Sequence, residues 1–295
     1  MRSCFLLPIL FLGLFTLGCD SAGSSDDSGG DGPVEVIEKS PKRGIAYNMQ
    51  NASDFEALKL GVSWWYNWYF NTSTPASYVD SYQMEYLPML WGGNAATDFE
   101  QVKTFIQSRP GIEYLLVLNE PNLTDQANMG PQRAAEEWVK YEQVVADLEA
   151  QGRSIKIVGP QMTWGTLAGY SDPVFWLDQF YAYYRAANSG RDPRIDYLAF
   201  HWYDYGLETQ LNRLQKYGKP IWITEMANWN DNIDTVEKQI EQMTQMVALA
   251  ESRSDVFRYA WFMGRWPNDV HHTSIFQESA GELTSLGETY ISLPY

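Results

Sequence analysis

Short apolar runs alternate with longer amphipathic segments along most of the chain, and this alternation constrains the fold more than any other feature. The runs occupy residues 44–47, 62–68, 86–91, 114–118, 155–158, 197–202, 221–224 and 257–262. Several are continuously apolar, which is typical of parallel strands buried on both faces. Apolar residues at helical spacing predict helices at residues 54–60, 76–82, 97–108, 133–151, 173–187, 207–217 and 233–253, with Asn232 or Asp234 as the N-cap of the last helix.

Eight strands separated by helices predict an α/β fold of the (β/α)8 TIM-barrel type. A chain of 295 residues has room for one such domain. No Gly-rich phosphate loop follows the first predicted strand, so a doubly wound nucleotide-binding sheet fits less well. We therefore assign residues 42–295 to one barrel domain.

The N-terminal part of the chain has a different character. A basic start at Arg2, an apolar run over residues 5–17 and the pair Gly18-Cys19 are typical of an export signal. This segment resembles a bacterial lipoprotein signal over residues 1–18, with cleavage before Cys19 and a lipid on Cys19. Thr16 stands where that pattern usually has Leu, and an ordinary cleaved signal is the alternative. The protein is then exported and contacts a membrane only through this anchor.

The segment after the signal contains no large apolar residue between positions 20 and 32, where only Ser, Gly, Ala and Asp occur. Such a composition cannot bury enough surface to offset the entropy of ordering, so residues 19–41 are predicted to be a flexible acidic linker. Both cysteines, Cys4 and Cys19, precede or begin this linker. The barrel domain therefore has no thiol nucleophile, disulfide or Cys-based metal site.

The charge balance excludes one class of partner. The chain has 21 basic and 37 acidic residues, a net charge of -16. Nucleic-acid binding requires clustered Lys and Arg to neutralise phosphates, so we expect no nucleic-acid partner. A neutral polymer remains compatible with this charge.

Two glutamates follow apolar strands at the end of the barrel where active sites form. Glu120 follows residues 115–118, and Glu225 follows residues 221–224. A carboxylate in such a position is partly desolvated and therefore either paired or functional. Capping of a helix or pairing with Arg is the structural alternative for one such residue, but two at the same end of a barrel favour acid–base catalysis.

Several motifs, in order along the chain, resemble glycoside hydrolase family 128. They are residues 42–48 (KRGIAYN), 65–68 (WYNW), 88–92 (PMLWG), 118–122 (LNEPN), 201–203 (HWY), 220–225 (PIWITE) and 258–262 (RYAWF). The resemblance covers about residues 42–265. It implies endo-acting hydrolysis of β-1,3-glucan with retention, with Glu120 as acid/base and Glu225 as nucleophile. Met226-Ala227 departs from the aromatic or small apolar pair expected after the nucleophile, which leaves endo versus exo action open.

The residues around the two glutamates suit the same chemistry. Cleavage of a glycosidic bond needs a proton on the leaving oxygen and a nucleophile or base at C1, which two carboxyl groups supply without a cofactor. His201 and Tyr203 are placed to orient the nucleophile, although His201 could also be a satisfied histidine at a strand end. His271-His272 lacks the spacing of a metal site, so we expect no metal.

Aromatic residues make up 15% of the chain, and many follow strands. The faces of pyranose rings stack on aromatic rings while their hydroxyls bond to amides and acids. Trp64 and Trp65 are adjacent, so only one can face the cleft, and the family motif favours Trp65. Trp138 and Trp176 lie in predicted helices and are assigned to the core. The residues predicted to bind substrate are Asn48, Trp65, Asn67, Trp68, Trp91, Asn119, Trp164, His201, Tyr203, Trp229 and Trp261.

Two other functions remain compatible with the sequence. The same barrel could bind a surface oligosaccharide without cutting it, although a pure binder has no need for two converging carboxylates. It could also hydrolyse another β-glycan, such as xylan, mannan or β-1,4-glucan. We expect a monomer that acts on a polysaccharide partner.

Overall fold

A sheet of parallel strands forms the centre of the protein. The structure is a computed structural model that describes residues 36–93 and 95–295, and residues 37–295 form one unit. The predicted signal, the predicted lipidation site Cys19 and most of the predicted linker lie outside the described residues.

Nine strands occur in the described residues, all parallel to their neighbours. They are β1 (Arg43–Ala46), β2 (Trp64–Tyr66), β3 (Glu85–Tyr86), β4 (Met89–Leu90), β5 (Tyr114–Val117), β6 (Lys156–Met162), β7 (Tyr197–Trp202), β8 (Ile221–Met226) and β9 (Val256–Trp261). Their order in the sheet is β3-β2-β1-β9-β8-β7-β6-β5-β4. This is an α/β fold with a curled sheet that fits a TIM-like barrel.

The two edge strands of this sheet belong to one short segment of chain. Leu87 donates its N–H to the carbonyl of Trp65 in β2, whereas the carbonyl of Pro88 accepts from Leu116 in β5. Pro88 has no N–H, so the ladder is interrupted there and the segment changes partner. The single strand predicted at residues 86–91 is therefore two short strands that bond to opposite edges of the sheet.

Helices follow the strands and cover the outer face of the sheet. They are α1 (Ala52–Leu58), α2 (Tyr78–Tyr82), α3 (Ala96–Ser108), α4 (Pro131–Ala150), α5 (Pro173–Ala187), α6 (Leu207–Leu214), α7 (Val236–Ser252) and α8 (Ser285–Ser292). The predicted helix at 207–217 ends in a 3-10 turn, Gln215–Tyr217. The sequence did not predict α8, which begins at the cap residue Thr284.

The predicted N-cap of α7 is wrong. Thr235 caps this helix, and its side chain accepts from the backbone N–H of Lys238. Asn232 instead lies in a turn, in which its N–H donates to the side chain of Asn230. Local side-chain bonds of this kind compete with capping.

The core has two layers. The inner layer fills the space enclosed by the sheet and contains the side chains of Trp64, Tyr66, Leu116 and Trp222. The outer layer lies between the sheet and the helices and contains residues such as Trp65, Trp138, Trp176 and Trp261. Trp138 and Trp176 are fully buried, as predicted. Because side chains alternate along a strand, neighbouring residues of one strand enter different layers.

Among the described residues, no helix has the length and apolar character needed to cross a membrane.

Candidate active site

A cavity of about 1050 Å³ lies at the carboxyl ends of the strands. Nine of the residues predicted to act in catalysis or binding line it, namely Trp68, Trp91, Asn119, Glu120, Trp164, His201, Tyr203, Glu225 and Trp229. They come from loops and strand ends far apart in sequence, and the fold brings them together. The polar members at its base are buried.

Glu225 lies in β8 and accepts hydrogen bonds from three side chains. The Tyr66 hydroxyl and the Trp68 Nε1–H both donate to Oε1, each at 2.8 Å. The hydroxyl of Tyr203 donates to Oε2. Only 4% of Glu225 is exposed. Three donors around one buried carboxyl group stabilise its ionised form.

Glu120 lies just beyond β5, on a segment with an unusual backbone. Leu118 and Glu120 have φ angles of 58° and 43°, in the left-handed region that non-glycine residues seldom adopt. The backbone N–H of Asn119 donates to Trp91 at 2.6 Å, and that of Glu120 donates to Gln161 at 2.8 Å. These bonds to two neighbouring strands hold the strained turn, and such strain is often found at functional sites.

His201 lies between the two carboxyl groups. Its Nδ1 is 2.7 Å from Oε1 of Glu120 and 3.3 Å from Oε2 of Glu225. A carboxylate oxygen of Glu120 and one of Glu225 lie within 4.8 Å of each other. The His201 side chain is fully buried, and its Nε2 has no hydrogen-bond partner among the described residues.

The electrostatics of the site couple these groups. Burial lowers the pKa of His201, but the negative charges of Glu225 and Glu120 outweigh it, so the pKa is raised. Burial raises the pKa of Glu225; His201 opposes the rise, Glu120 adds to it, and Tyr203 and Trp68 oppose it by donating hydrogen bonds. Burial and the charge of Glu225 raise the pKa of Tyr66 and of Tyr203 well above the ordinary value, so both remain protonated donors.

The same three groups have the spacing of a metal site. One ligand atom each from Glu120, His201 and Glu225 lie within 4.8 Å of one another. However, both oxygens of Glu225 already accept hydrogen bonds from tyrosine and tryptophan side chains. These hydrogen bonds suit a carboxylate that binds no metal ion, and treatment with a chelator can test this. The ring of His271 stacks on the ring of Trp229, and the two ring centroids are 4.9 Å apart.

Four residues predicted to bind substrate do not line the cavity. Trp65 and Trp261 face the outer core, where 1% and 0% of each is exposed. Trp65 packs against Phe55, and Trp261 donates its Nε1–H to the carbonyl of Thr273. The alternation of side chains along β2 and β9 explains this placement, so the choice of Trp65 over Trp64 for the cleft is not supported, because neither lines it.

The other two residues, Asn48 and Asn67, lie in the loops that follow β1 and β2. Asn67 is buried, and its amide bonds to the carbonyl of Asn71 and to the hydroxyl of Tyr86. It therefore shapes the loop after β2. Asn48 is exposed, and its carbonyl oxygen accepts from Asn67.

Sequence reasoning missed two side chains that the same alternation would have found. Tyr66 shares a strand face with Trp64 and donates to Glu225. Phe262 shares a face with Ala260 and lines the cavity. Trp202, the last residue of β7 and part of the motif at residues 201–203, also lines the cavity. The other lining residues come from loops, namely Leu123, Asp125, Gln126, Thr163, Asp204, Tyr205 and Trp266.

A sheet that fits a TIM-like barrel, with paired carboxyl groups and an aromatic-lined cavity at its carboxyl edge, defines the class of barrel glycoside hydrolases. The family model for the glycosyl hydrolase catalytic core matches residues 44–290. The chain belongs to this family, within glycoside hydrolase family 128, and is a glycoside hydrolase.

The solved structures that are similar to this chain include two endo-β-1,3-glucanases. An endo-β-1,3-glucanase of family 128, subgroup II, from Pseudomonas viridiflava is 52% identical, with 88% of this chain and 100% of that chain covered and a TM-score of 0.82. A subgroup II endo-β-1,3-glucanase from Sorangium cellulosum is 32% identical, with 86% and 98% covered and a TM-score of 0.72.

A relative from fission yeast, Schizosaccharomyces pombe, is alkali-sensitive linkage protein 1. It is 28% identical over 265 residues, which cover 86% of this chain and 45% of the yeast protein. The chain therefore spans less than half the length of that relative.

The hydrogen bond from Tyr203 to Glu225 predicts a pKa change that can be measured. Tyr203→Phe removes a donor that favours the ionised carboxyl group, so the pKa of Glu225 is expected to rise further. The measurement is an NMR titration of carbon-13-labelled glutamate side chains, with Glu225→Gln used to assign the signal. Tyr183→Phe, on the surface of α5, is the control and should leave the titration unchanged. An unchanged or lower pKa in Tyr203→Phe would contradict the role of this bond.

Proposed function

We propose that this protein is a retaining, endo-acting β-1,3-glucanase that uses Glu120 as acid/base and Glu225 as nucleophile. The main supporting observation is the approach of their carboxylate oxygens to within 4.8 Å. Retaining enzymes have carboxyl groups about 5–5.5 Å apart, whereas inverting enzymes need about 6.5–9.5 Å to admit a water molecule. The Pseudomonas and Sorangium relatives, both endo-β-1,3-glucanases, support the substrate.

The proposed reaction has two steps. In the first, Glu225 attacks C1 of the sugar while Glu120 gives its proton to the leaving oxygen, and a covalent glycosyl-enzyme forms. In the second, Glu120 removes a proton from water, which attacks C1 and releases Glu225. His201 contacts both groups, so its Nδ1–H stabilises Glu120 whenever that carboxyl group is ionised.

The fold proposed for this function is a complete (β/α)8 barrel. If the segment from Glu85 to Leu90 is counted as one interrupted strand, it joins β2 to β5 and eight strands close a ring. The closed ring supports the mechanism because β5 and β8 then open onto the same face. We propose no cofactor, and we propose that the enzyme acts as a monomer.

The two carboxyl groups have separable roles that variants can distinguish. Glu225→Gln should prevent formation of the covalent intermediate and lower kcat/KM by roughly 10³-fold or more on every substrate. Glu120→Ala should lose activity on glucan but retain the first step on aryl glycosides whose leaving group needs no proton. Azide should then restore turnover of Glu120→Ala and give a β-glycosyl azide, because an anionic nucleophile needs no general base.

Glu282→Gln, a substitution outside the cavity, is the matched control and should keep the wild-type rate. Activity should also survive prolonged treatment with a chelator, which separates this mechanism from one that uses a metal at the same three residues. Normal rates in Glu120→Ala and Glu225→Gln would rule out the proposed roles of the two glutamates. A wild-type protein that binds β-1,3-glucan but releases no shorter products would instead leave glucan binding without cleavage. An α-glycosyl azide would contradict retention.

Trp164 is the most exposed tryptophan of the cavity and the best placed to stack on a sugar. It is 51% exposed, and the guanidinium of Arg213 lies 5.5 Å from its ring centroid. Arg213 in turn bonds to Asp172 through both carboxylate oxygens, so the ring has a fixed support. We propose that Trp164 binds a sugar residue away from the cleaved bond.

Trp164→Ala should raise KM on long β-1,3-glucans, with a loss of about 1–3 kcal/mol in transition-state binding, and should affect short substrates less. Tyr295→Ala, a similarly exposed aromatic away from the cavity, is the control. Product lengths measured at early times should show internal cleavage. If the wild type cuts cellulose or xylan quickly and laminarin-type glucan not at all, the proposed substrate is wrong.

We also propose that the protein is exported and anchored by a lipid on Cys19, with residues 19–41 as the linker. The apolar run over residues 5–17 followed by Gly18-Cys19 supports this proposal. Cys19→Ala should move the protein from the membrane fraction to the soluble fraction, as measured by fractionation and immunoblotting. Cys4→Ala is the control. A soluble wild-type protein whose N-terminus lies beyond Cys19 would contradict the anchor.

A further inference from the structure

Gln161 is a buried polar residue that links the two strands bearing the carboxyl groups. It lies in β6, between β5 and β7 in the sheet, and none of it is exposed. It does not line the cavity, so it cannot contact a substrate there. Its backbone hydrogen-bonds to the segment that bears Glu120, and its side chain hydrogen-bonds to the strand that bears Glu225.

The backbone of Gln161 bonds to the segment that bears Glu120. Its carbonyl accepts from the N–H of Glu120 at 2.8 Å, and its N–H donates to Leu118 at 3.0 Å. Leu118 and Glu120 are the two residues of this segment with left-handed backbone angles. Gln161 therefore bonds to both ends of the strained turn that aims the Glu120 side chain.

The side chain of Gln161 bonds to the strand that bears Glu225. Its Oε1 accepts from the hydroxyl of Thr224 at 2.5 Å, and Thr224 is also fully buried. Its Nε2 donates to the carbonyl of Val158 at 2.7 Å. Because Nε2 can only donate and this bond is made to a carbonyl, the orientation of the amide is fixed with its oxygen toward Thr224.

An irregularity in β6 makes this arrangement possible. The register with β7 shifts between Val158 and Gln161. Gly159, inside the shift, has a φ of 145°, and a Cβ there would lie 2.5 Å from the carbonyl oxygen of Val117 and 3.1 Å from Nε2 of Gln161. Only glycine leaves room for the bulge and for the amide behind it.

We propose that Gln161 is a positioning residue that sets the separation of Glu120 and Glu225 through the Thr224 hydrogen bond. The side chain of Gln161 bonds to Thr224, the residue that precedes Glu225, and the backbone of Gln161 bonds to Glu120 itself. Catalysis by two carboxyl groups depends on their spacing to within a fraction of an ångström. This inference rests on the proposed catalytic roles of the two glutamates.

The test removes the hydrogen bond without changing the shape of either side chain. Thr224→Val and Gln161→Met should each lower kcat roughly 10- to 100-fold, because the carboxyl groups lose their alignment, with KM changed less than about twofold. Thr224→Ser keeps the hydroxyl and should restore kcat to near the wild-type value. The double variant Thr224→Val with Gln161→Met should be no slower than the slower single variant, since both remove the same bond.

Two further measurements separate positioning from general destabilisation. Thr273→Val also removes a buried hydroxyl, one that bonds to Asp269, and should lower stability without lowering kcat. The limbs of the pH–rate profile should move in Thr224→Val and stay in place in Thr273→Val, because only the former changes the spacing of the coupled carboxyl groups. If Thr224→Val does not fold, Gln161→Met is used for the same comparison.

The positioning role is overturned if Thr224→Val keeps the wild-type kcat and pH profile, or if Thr224→Ser is as slow as Thr224→Val. Either result leaves the proposed function intact as long as Glu225→Gln is inactive. Normal activity in Glu225→Gln would instead overturn the proposed function, independently of Gln161.

Discussion

The rest of the site depends on holding two carboxyl groups close together in a buried position. If both carboxyl groups were ionised, two like charges within 4.8 Å would repel each other by roughly 3 kcal/mol or more at an effective dielectric constant of about 20. Four side chains offset this cost, and they come from only two parts of the barrel. Tyr66 ends β2 and Trp68 lies just beyond it, while His201 lies near the end of β7 and Tyr203 directly follows that strand. The close approach of the carboxyl groups is thus tolerated because the flanking strand ends supply donors rather than water.

The aromatic residues of the chain pack in the interior of the barrel as well as around the cavity. Trp64, Trp222 and Tyr114 surround the guanidinium of Arg258, which lies 4.8–5.8 Å from their ring centroids and also pairs with Glu85. Flat rings stacked on a planar cation fill the barrel and leave little space for water. The number of tryptophans in the sequence therefore does not by itself predict which of them bind a sugar.

A feature of the structure could be predicted from the sequence where a short stretch of residues specifies it, and could not where it depends on contacts between distant parts of the chain. The strand at Tyr197–Trp202 and the helix at Pro173–Ala187 have the predicted bounds, because a continuous apolar run and a Pro at the first turn mark them. Glu120 and Glu225, which both line the cavity, stand out in the sequence because a carboxylate after an apolar strand is costly to bury unless it is paired or functional. Trp65 and Trp261 face the outer core instead of the cavity. The family motif for Trp65 and the strand-end position for Trp261 are weaker guides than the alternation of side chains along a strand. The change of partner at Pro88 could not be predicted, since it depends on two strands that meet only in the folded sheet.

The remaining cavity wall fits a neutral polymer. Its charged side chains are Glu120, Asp125, Asp204 and Glu225, with no Lys or Arg among the lining residues of the described chain. An anionic polysaccharide would be repelled both here and by the net charge of -16. Not every aromatic ring that lines the cavity is free to stack on a ligand. Both Tyr203 and His271 stack on Trp229, whose buried Nε1–H has no partner among the described residues. Trp202 has the same buried donor without a partner. The cavity wall therefore combines exposed aromatic rings at Trp164 and Tyr205 with indole N–H groups that are unpaired among the described residues.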